Sequence, residues 1–104
     1  MSTRANIVLK DNMGEVIFYR HSDGYPEGTL PTLNEFLNNV KSGKIRDNVT
    51  QASGWLVLIG HNEYGSKLDD WKVGAYEITS TLHGDIEYLY TIDLELKTIT
   101  YTEV

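Results

Sequence analysis

The sequence predicts an α+β domain: an antiparallel sheet of about five strands with two helices packed on one face. Stretches with the two-residue alternation of strands lie towards both ends of the chain, and two stretches with helical spacing lie between them. No linker, internal repeat or low-complexity tract divides the 104 residues. We therefore expect a single domain, residues 1–104, with the element order ββ-αα-βββ.

The first two strands are expected to pair as a hairpin. Residues 5–10 and 15–20 are rich in β-branched and aromatic side chains, and a turn cluster at residues 11–14 separates them. Residues 21–31 contain two glycines and two prolines, which predicts an irregular loop. Loops of this length in small domains are usually functional.

The clearest helical signal covers residues 32–42. Thr32 and Glu35 match a capping box at its start, and Gly43 can end it in the left-handed conformation. Four apolar residues recur at i, i+3, i+4 and i+7 and predict the buried face: Leu33, Phe36, Leu37 and Val40.

A second helix is expected to begin near Asp47 or Asn48, either of which can cap it, and to end near His61. The run 55–59 taken alone is equally compatible with a strand. Residues 62–70 are predicted to form a loop.

Three more strands are predicted, over residues 71–79, 85–93 and 97–102. The sheet face opposite the helices would be solvated or used for binding, and four tyrosines are candidates for it: Tyr19, Tyr76, Tyr88 and Tyr90. Because paired strands leave at least one open edge, we expect self-association into a homo-oligomer.

Composition excludes several classes of function. The chain has no cysteine, which excludes disulfide scaffolds and thiol-based zinc sites. Nine Lys and Arg against fifteen Asp and Glu give a net charge of −6, and no basic stripe is visible, so binding to duplex nucleic acid is not expected. No apolar run approaches a membrane span and no leader opens the chain, so we expect a cytoplasmic protein without a membrane partner.

Two stretches resemble a known family. The chain opens Met1-Ser2-Thr3-Arg4-Ala5-Asn6-Ile7, and after the first hairpin it reads Tyr19-Arg20-His21-Ser22-Asp23-Gly24-Tyr25-Pro26. These stretches are similar to a family of short, largely uncharacterised phage and prophage proteins that open M-S-T-R-x-x-I and carry Y-x-H-x-D-G-Y-P. Several small phage proteins of comparable size sequester cyclic-nucleotide immune signals, and by analogy the resemblance implies such a sponge.

The same two stretches are expected to meet in space. Pairing of residues 5–10 with 15–20 brings Arg4 close to His21 at one end of the sheet. Arginine can hold a phosphate through two parallel N–H bonds, histidine can donate to an anion, and glycine permits close approach of backbone N–H groups. The predicted ligand-binding residues are Arg4, Arg20, His21, Asp23, Gly24 and Tyr25.

A purely structural interpretation of this loop is also open. Asp23 and Gly24 are a common turn pair, Tyr25 can plug the sheet end, and Arg4 can form a salt bridge with Asp23. Residues 83–85 are predicted to form a hairpin loop.

Catalysis has weaker support in the sequence. His21 and Asp23 could form an acid–base pair, but side chains at i and i+2 on a turn seldom converge on one substrate atom. The three histidines, His21, His61 and His83, lack metal-ligand spacing, and no hydrolase or nucleotide-hydrolysis motif is present, so we expect no metal or cofactor.

The leading hypothesis is therefore a binding protein without catalytic turnover, whose ligand is small, anionic and nucleotide-like. A protein–protein interaction module that inhibits a host factor is the alternative, because an acidic surface with an aromatic face fits that function too. A small phosphodiesterase or other hydrolase is the third hypothesis.

Overall fold

The computed structural model describes residues 2–63 and 74–104 and confirms the α+β class. The elements follow the predicted order, ββ-αα-βββ. Their bounds are β1 Ala5–Lys10, β2 Glu15–Arg20, α1 Pro26–Lys41, α2 Val49–Glu63, β3 Glu77–Thr79, β4 Tyr88–Asp93 and β5 Thr98–Glu103. No helix in this part of the chain is long and apolar enough to cross a membrane.

The five strands form one sheet in the order β3-β2-β1-β4-β5. The pairings β1–β2, β2–β3 and β4–β5 are antiparallel, whereas β1 and β4 are parallel, so the sheet is mixed but largely antiparallel. The parallel pair arises because the chain leaves β3 at one edge and crosses β2 and β1 before it forms β4. A parallel neighbour always requires such a crossover connection.

The core lies between one face of the sheet and the two helices. On β1, Ala5, Ile7 and Leu9 are fully buried, as their two-residue spacing predicts. The apolar stripe of α1 packs with them, and α2 contacts both β1 and β2. The four residues predicted for the buried face of α1 are at most 5% exposed.

Helix α1 begins at Pro26, so the predicted loop over residues 21–31 is wrong for its second half. Proline suits the first helical position because its missing N–H has no intrahelical partner there. Pro31 lies inside the helix, where it removes one bond, the one to the Glu27 carbonyl. Thr32 is consequently not a cap: it is buried, and its hydroxyl bonds to the Thr29 carbonyl and the Tyr76 hydroxyl.

Other helix boundaries follow their predicted signals. Gly43, with a φ of 84°, follows α1 in the left-handed conformation. Asn48 is the residue that caps α2, since its Oδ1 accepts from the Thr50 and Gln51 N–H groups at 3.0 and 3.1 Å. The helix continues to Glu63, two residues beyond the predicted end.

The second half of the chain needs three corrections. Of the strand predicted over 71–79, only 77–79 form β3, and residues 71–73, like the loop predicted over 64–70, lie outside the described residues. Strand β4 begins at Tyr88 rather than residue 85. Three of the four tyrosines predicted for the face opposite the helices are not on it. Tyr76 and Tyr90 are buried, at 2% and 0% exposure, and Tyr88 packs against the core on the same face as Tyr90.

Tyr76 is buried because its ring packs directly on the backbone of α2 at Gly60, which has no side chain. A Cβ at Gly60 would lie 2.4 Å from the Tyr76 ring, and the Gly60 carbonyl accepts from the Ala75 N–H at 3.1 Å. Burial raises the pKa of Tyr76 to about 12, partly opposed by its bond to Thr32. Glycine at this position therefore lets the chain dock on the helix before β3 begins.

Asp11 links the β1–β2 turn to the start of α2, and this link makes stability depend on pH. Its carboxylate accepts from the N–H groups of Val49, Met13 and Gly14 at 2.9, 2.8 and 3.1 Å. These bonds, that to Val49 first, hold the pKa of Asp11 below its ordinary value of 3.8.

We expect Asp11→Asn to lower the free energy of unfolding at neutral pH. Because the folded pKa is depressed, the ionised group stabilises the fold above 3.8 and loses this effect as the pH falls through the folded value. Urea unfolding at several pH values checks this, with the exposed Glu35→Gln on α1 as control. A difference from the wild type that persists unchanged into acid would contradict the assignment.

Candidate functional site

The crossover from β3 to β4, residues 80–87, covers part of the sheet face that points away from the helices. Asn6 and Tyr19 lie directly opposite each other on this face. The Asn6 side chain is fully buried; its Nδ2 donates to the Phe18 carbonyl at 2.8 Å. Its Oδ1 accepts from the His83 backbone N–H, also at 2.8 Å. Asn6 therefore fastens the crossover to β1.

Tyr19 is the centre of a polar group on this face, the Tyr19 cluster, which comprises Arg4, Tyr19, His21, His83 and Asp85. The Tyr19 hydroxyl is 2.9 Å from Nδ1 of His21. The His83 ring stacks on the Tyr19 ring, with centroids 4.0 Å apart and planes 12° apart. Nη1 of Arg4 is 3.1 Å from Oδ2 of Asp85. The cluster thus combines the approach to β1, the end of β2 and the crossover.

The Tyr19 phenol stays protonated at neutral pH. Burial raises its pKa above the ordinary value of 10.0, and the Asp85 carboxylate raises it further, while the Arg4 guanidinium acts in the opposite direction. The hydroxyl is therefore a neutral partner that donates to Nδ1 of His21 or accepts from it, according to the imidazole tautomer. Since Nδ1 is engaged, Nε2 is the nitrogen that His21 can offer to a ligand.

Arg4 supplies the fixed positive charge of the cluster. Its side chain is 38% exposed and that of Asp85 is 56% exposed, so their ion pair is a surface pair. Such pairs are typically worth about 0–1 kcal/mol. The Nε of Arg4 is buried and has no hydrogen-bond partner among residues 2–63 and 74–104. The described residues therefore satisfy the guanidinium only in part.

The start of the chain and the loop after β2 do meet. The Gly24 N–H donates to the Thr3 carbonyl at 2.9 Å, and the Gly24 carbonyl accepts from the Tyr90 hydroxyl at 2.6 Å. A Cβ at Gly24 would lie 2.8 Å from the Thr3 oxygen, so the approach requires glycine. Asp23 has a positive φ of 57°, and its carboxylate is 3.4 Å from the hydroxyl of the half-exposed Tyr25.

Arg20 lies on the other side of the sheet, fully buried beneath the helices. Both terminal nitrogens donate to the Glu63 carboxylate in the last turn of α2, Nη1 at 2.8 Å. Its Nε donates to the Ser22 carbonyl at 2.7 Å, and Nη2 reaches the Gly28 carbonyl at 3.3 Å. The guanidinium carbon is 5.2 Å from the centre of the Tyr76 ring. Arg20 thereby joins β2 to the following loop and to both helices.

The six predicted site residues therefore lie in three places. Arg4 and His21 belong to the Tyr19 cluster, and Arg20 is buried on the helix side. The other three form the turn that leads into α1: Asp23, Gly24 and Tyr25. Arg4 pairs with Asp85, not with Asp23.

Sequence reasoning missed the contribution of the crossover to this site. His83 and Asp85 were expected in a hairpin loop, whereas they face Tyr19 and Arg4. His21 and His83 both contact Tyr19, but the described residues contain no group of three His, Asp or Glu side chains that could hold a metal ion. The cluster offers cationic and neutral donors beside a stacked aromatic surface, a combination suited to a phosphate attached to a planar ring.

No family model, curated protein or solved structure matches the chain. The geometry and electrostatics of the Tyr19 cluster are therefore the basis for a functional proposal.

Arg20→Ala should lower the free energy of unfolding. Because Arg20 lies on the opposite face of the sheet from Tyr19, the change should not alter the Tyr19 cluster directly. Removal of one partner from a buried ion pair typically costs about 3–5 kcal/mol, because the other charge loses its compensation. Arg20→Lys should recover only part of the loss, since an ammonium cannot reproduce the fork that reaches Glu63, Ser22 and Gly28.

Urea denaturation measures these changes, with the exposed Arg46→Ala as the matched arginine control. Equal stabilities for the Arg20→Ala and Arg46→Ala variants would show that the buried pair does not hold the loop and helices together.

Proposed function

We propose that the protein is a non-catalytic binding protein that captures a small anionic ligand, of the nucleotide class, at the Tyr19 cluster. The observation that carries the proposal is the grouping of Arg4, His21 and His83 around one tyrosine on an exposed face of a protein whose net charge is −6. If the chain is phage-borne, its use in the host cytosol would be to sequester a signalling nucleotide and so evade immunity.

The phosphate of the ligand would replace the Asp85 carboxylate on Arg4. That exchange is cheap because both partners are partly exposed, and an ion pair of this kind contributes little to stability. A phosphate accepts two parallel N–H bonds from arginine, whereas Asp85 is in contact through Nη1 alone. Distant carboxylates oppose the ligand little, since salt screens charges beyond about 8–10 Å.

The base of the ligand would stack on the surface formed by the Tyr19 and His83 rings. The two rings are nearly parallel, and the crossover holds His83 in place through its backbone bond to Asn6. A preformed stacking surface needs no ordering when a ligand arrives, and base–aromatic stacking is worth about 1–3 kcal/mol. Of the turn residues that follow His21, the exposed Asp23 and Tyr25 are retained as proposed ligand contacts at its margin. Gly24 is buried and both its main-chain groups are engaged, so its proposed role is to shape the turn.

Binding is favoured over hydrolysis by the state of the polar groups. The pKa of Tyr19 is raised by burial, so its phenol stays protonated at neutral pH and offers no phenolate to act as a base. The hydroxyl of Thr79 is 3.5 Å from Nε2 of His83, longer than the 2.6–3.2 Å expected for an activated nucleophile.

The test is calorimetric titration of the purified protein with cyclic mononucleotides, cyclic dinucleotides and inorganic phosphate. We expect Arg4→Ala to weaken binding of the nucleotide probe by about tenfold or more, as the loss of a charge-assisted hydrogen bond implies. His83→Ala should weaken it by a similar factor through lost stacking. Lys41→Ala, an exposed cation on α1, is the control and should bind like the wild type.

Asp85→Asn should act in the opposite direction. This change keeps the side-chain volume but removes the carboxylate that competes for Arg4, so affinity for the same probe should rise several-fold. An equal affinity for the Asp85→Asn protein and the wild type would contradict a phosphate subsite at Arg4.

Heating the complex and analysing the released ligand separates the three classes of function. Intact nucleotide supports sequestration, whereas an altered nucleotide means hydrolysis and refutes it. If no phosphate-bearing probe binds, the proposal is wrong, and the protein-interaction module becomes the leading function.

A further inference from the structure

Strand β5 ends the sheet on one side, and among residues 2–63 and 74–104 no other strand pairs with its outer edge. The Val104 N–H donates to the Glu87 carbonyl at 2.8 Å. Because main-chain groups alternate in direction along an antiparallel strand, Thr98, Thr100 and Thr102 direct theirs towards β4. The N–H and C=O groups of Ile99, Tyr101 and Glu103 therefore face outwards from the sheet.

The edge is also apolar on its helix side. Ile99 and Tyr101 stand opposite Ile92 and Tyr90 of β4, whose side chains are in the core. Tyr101 is nevertheless 50% exposed. A cleft of about 430 Å³ separates it from α1, lined by Pro26, Glu27, Leu30, Pro31, Asn34 and Tyr101.

Most residues that normally keep edge strands from pairing are absent from β5, in which Glu103 is the one charged side chain. Its sequence, Thr-Ile-Thr-Tyr-Thr-Glu over 98–103, contains no proline, glycine or lysine, and four of the six residues are β-branched. An edge of this length and composition is a template for another strand.

We propose that β5 pairs antiparallel with β5 of a second copy of this chain, around a two-fold axis at Thr100. Opposite residues of an antiparallel pair share one face, and this register places Ile99 opposite Tyr101 of the second copy on the helix side. The Ile99 and Tyr101 main-chain groups then form the inter-chain hydrogen bonds. The two five-stranded sheets become one sheet of ten strands.

Charge complementarity selects this register over its neighbour. With the axis at Thr100, Glu103 of each chain comes next to the turn that precedes β5 of the other, where Lys97 has a φ of 56°. With the axis at Tyr101, Glu103 would face Ile99 instead. The Lys97 ammonium contacts Asp47 Oδ2 at 3.1 Å and the Leu94 carbonyl at 2.7 Å. Its side chain is still 32% exposed, and an ammonium has three donors, so one remains for a carboxylate of the second copy.

The first test is the mass of the wild-type protein over a range of concentrations, measured by sedimentation equilibrium. We expect a reversible dimer that Tyr101→Pro converts to a monomer. Proline should be tolerated in the folded chain because the Tyr101 N–H faces outwards, and it removes a donor that only the second copy would use. A circular dichroism spectrum and melting curve like those of the wild type verify that the variant is folded.

The second test is a charge exchange that depends on the register. In a dimer, positions 97 and 103 of the two chains meet twice, once on each side of the axis. Glu103→Lys places two positive charges together at both places, and Lys97→Glu places two negative charges together there. Each variant should therefore weaken dimerisation at least tenfold. A mixture of the two variants should form heterodimers with affinity close to that of the wild type.

A wild-type chain that stays monomeric up to about 1 mM overturns the proposal. So does a dimer that persists unchanged in Tyr101→Pro, or one in which the charge variants and their mixture behave alike.

Discussion

The register of the β1–β2 hairpin is the constraint on which the rest of the structure depends. It places Ala5 opposite Arg20 and Asn6 opposite Tyr19. Because side chains alternate between faces, this register sends Arg20 beneath the helices and Tyr19 to the opposite side. A slip of one residue would exchange them: the guanidinium would leave Glu63, and the phenol would enter the core. The core and the candidate site are therefore fixed by the same ladder of hydrogen bonds.

Each face then uses one buried polar side chain to attach the chain segment that covers it. Arg20 holds the turn into α1 and the last turn of α2, and Asn6 holds the β3–β4 crossover. Both groups are fully buried, so each depends on its partners to offset lost hydration. The exposed groups of the Tyr19 cluster lie on the Asn6 side. They are positioned by the fold, through the β2 register and the crossover, without being part of its core.

Local patterns predicted the fold class, the first hairpin, the body of α1 and the Gly43 and Asn48 boundaries, because periodicity and capping act over a few residues. The start of α1 could not be predicted in this way, since Pro31 is a helix breaker by local rules and yet lies inside the helix. Three of the five cluster residues, Arg4, Tyr19 and His21, were foreseeable from hairpin pairing. His83 and Asp85 were not, because a crossover's position depends on tertiary contacts. The burial of Arg20 was predictable, because it lies two residues after Phe18 on β2 and therefore on the same face, where the Phe18 side chain is in the core.

The proposed ligand site and the proposed dimer edge lie on different parts of the sheet, and this separation determines how they would work together. In the ten-stranded sheet, seven strand spacings of about 4.8 Å separate β2 from its copy, or about 34 Å. A two-fold axis perpendicular to the sheet keeps both Tyr19 clusters on the same face, away from the four helices. One small ligand could not reach both clusters. Each chain would therefore bind its own ligand, and dimerisation would double the number of sites per particle without changing the chemistry of either.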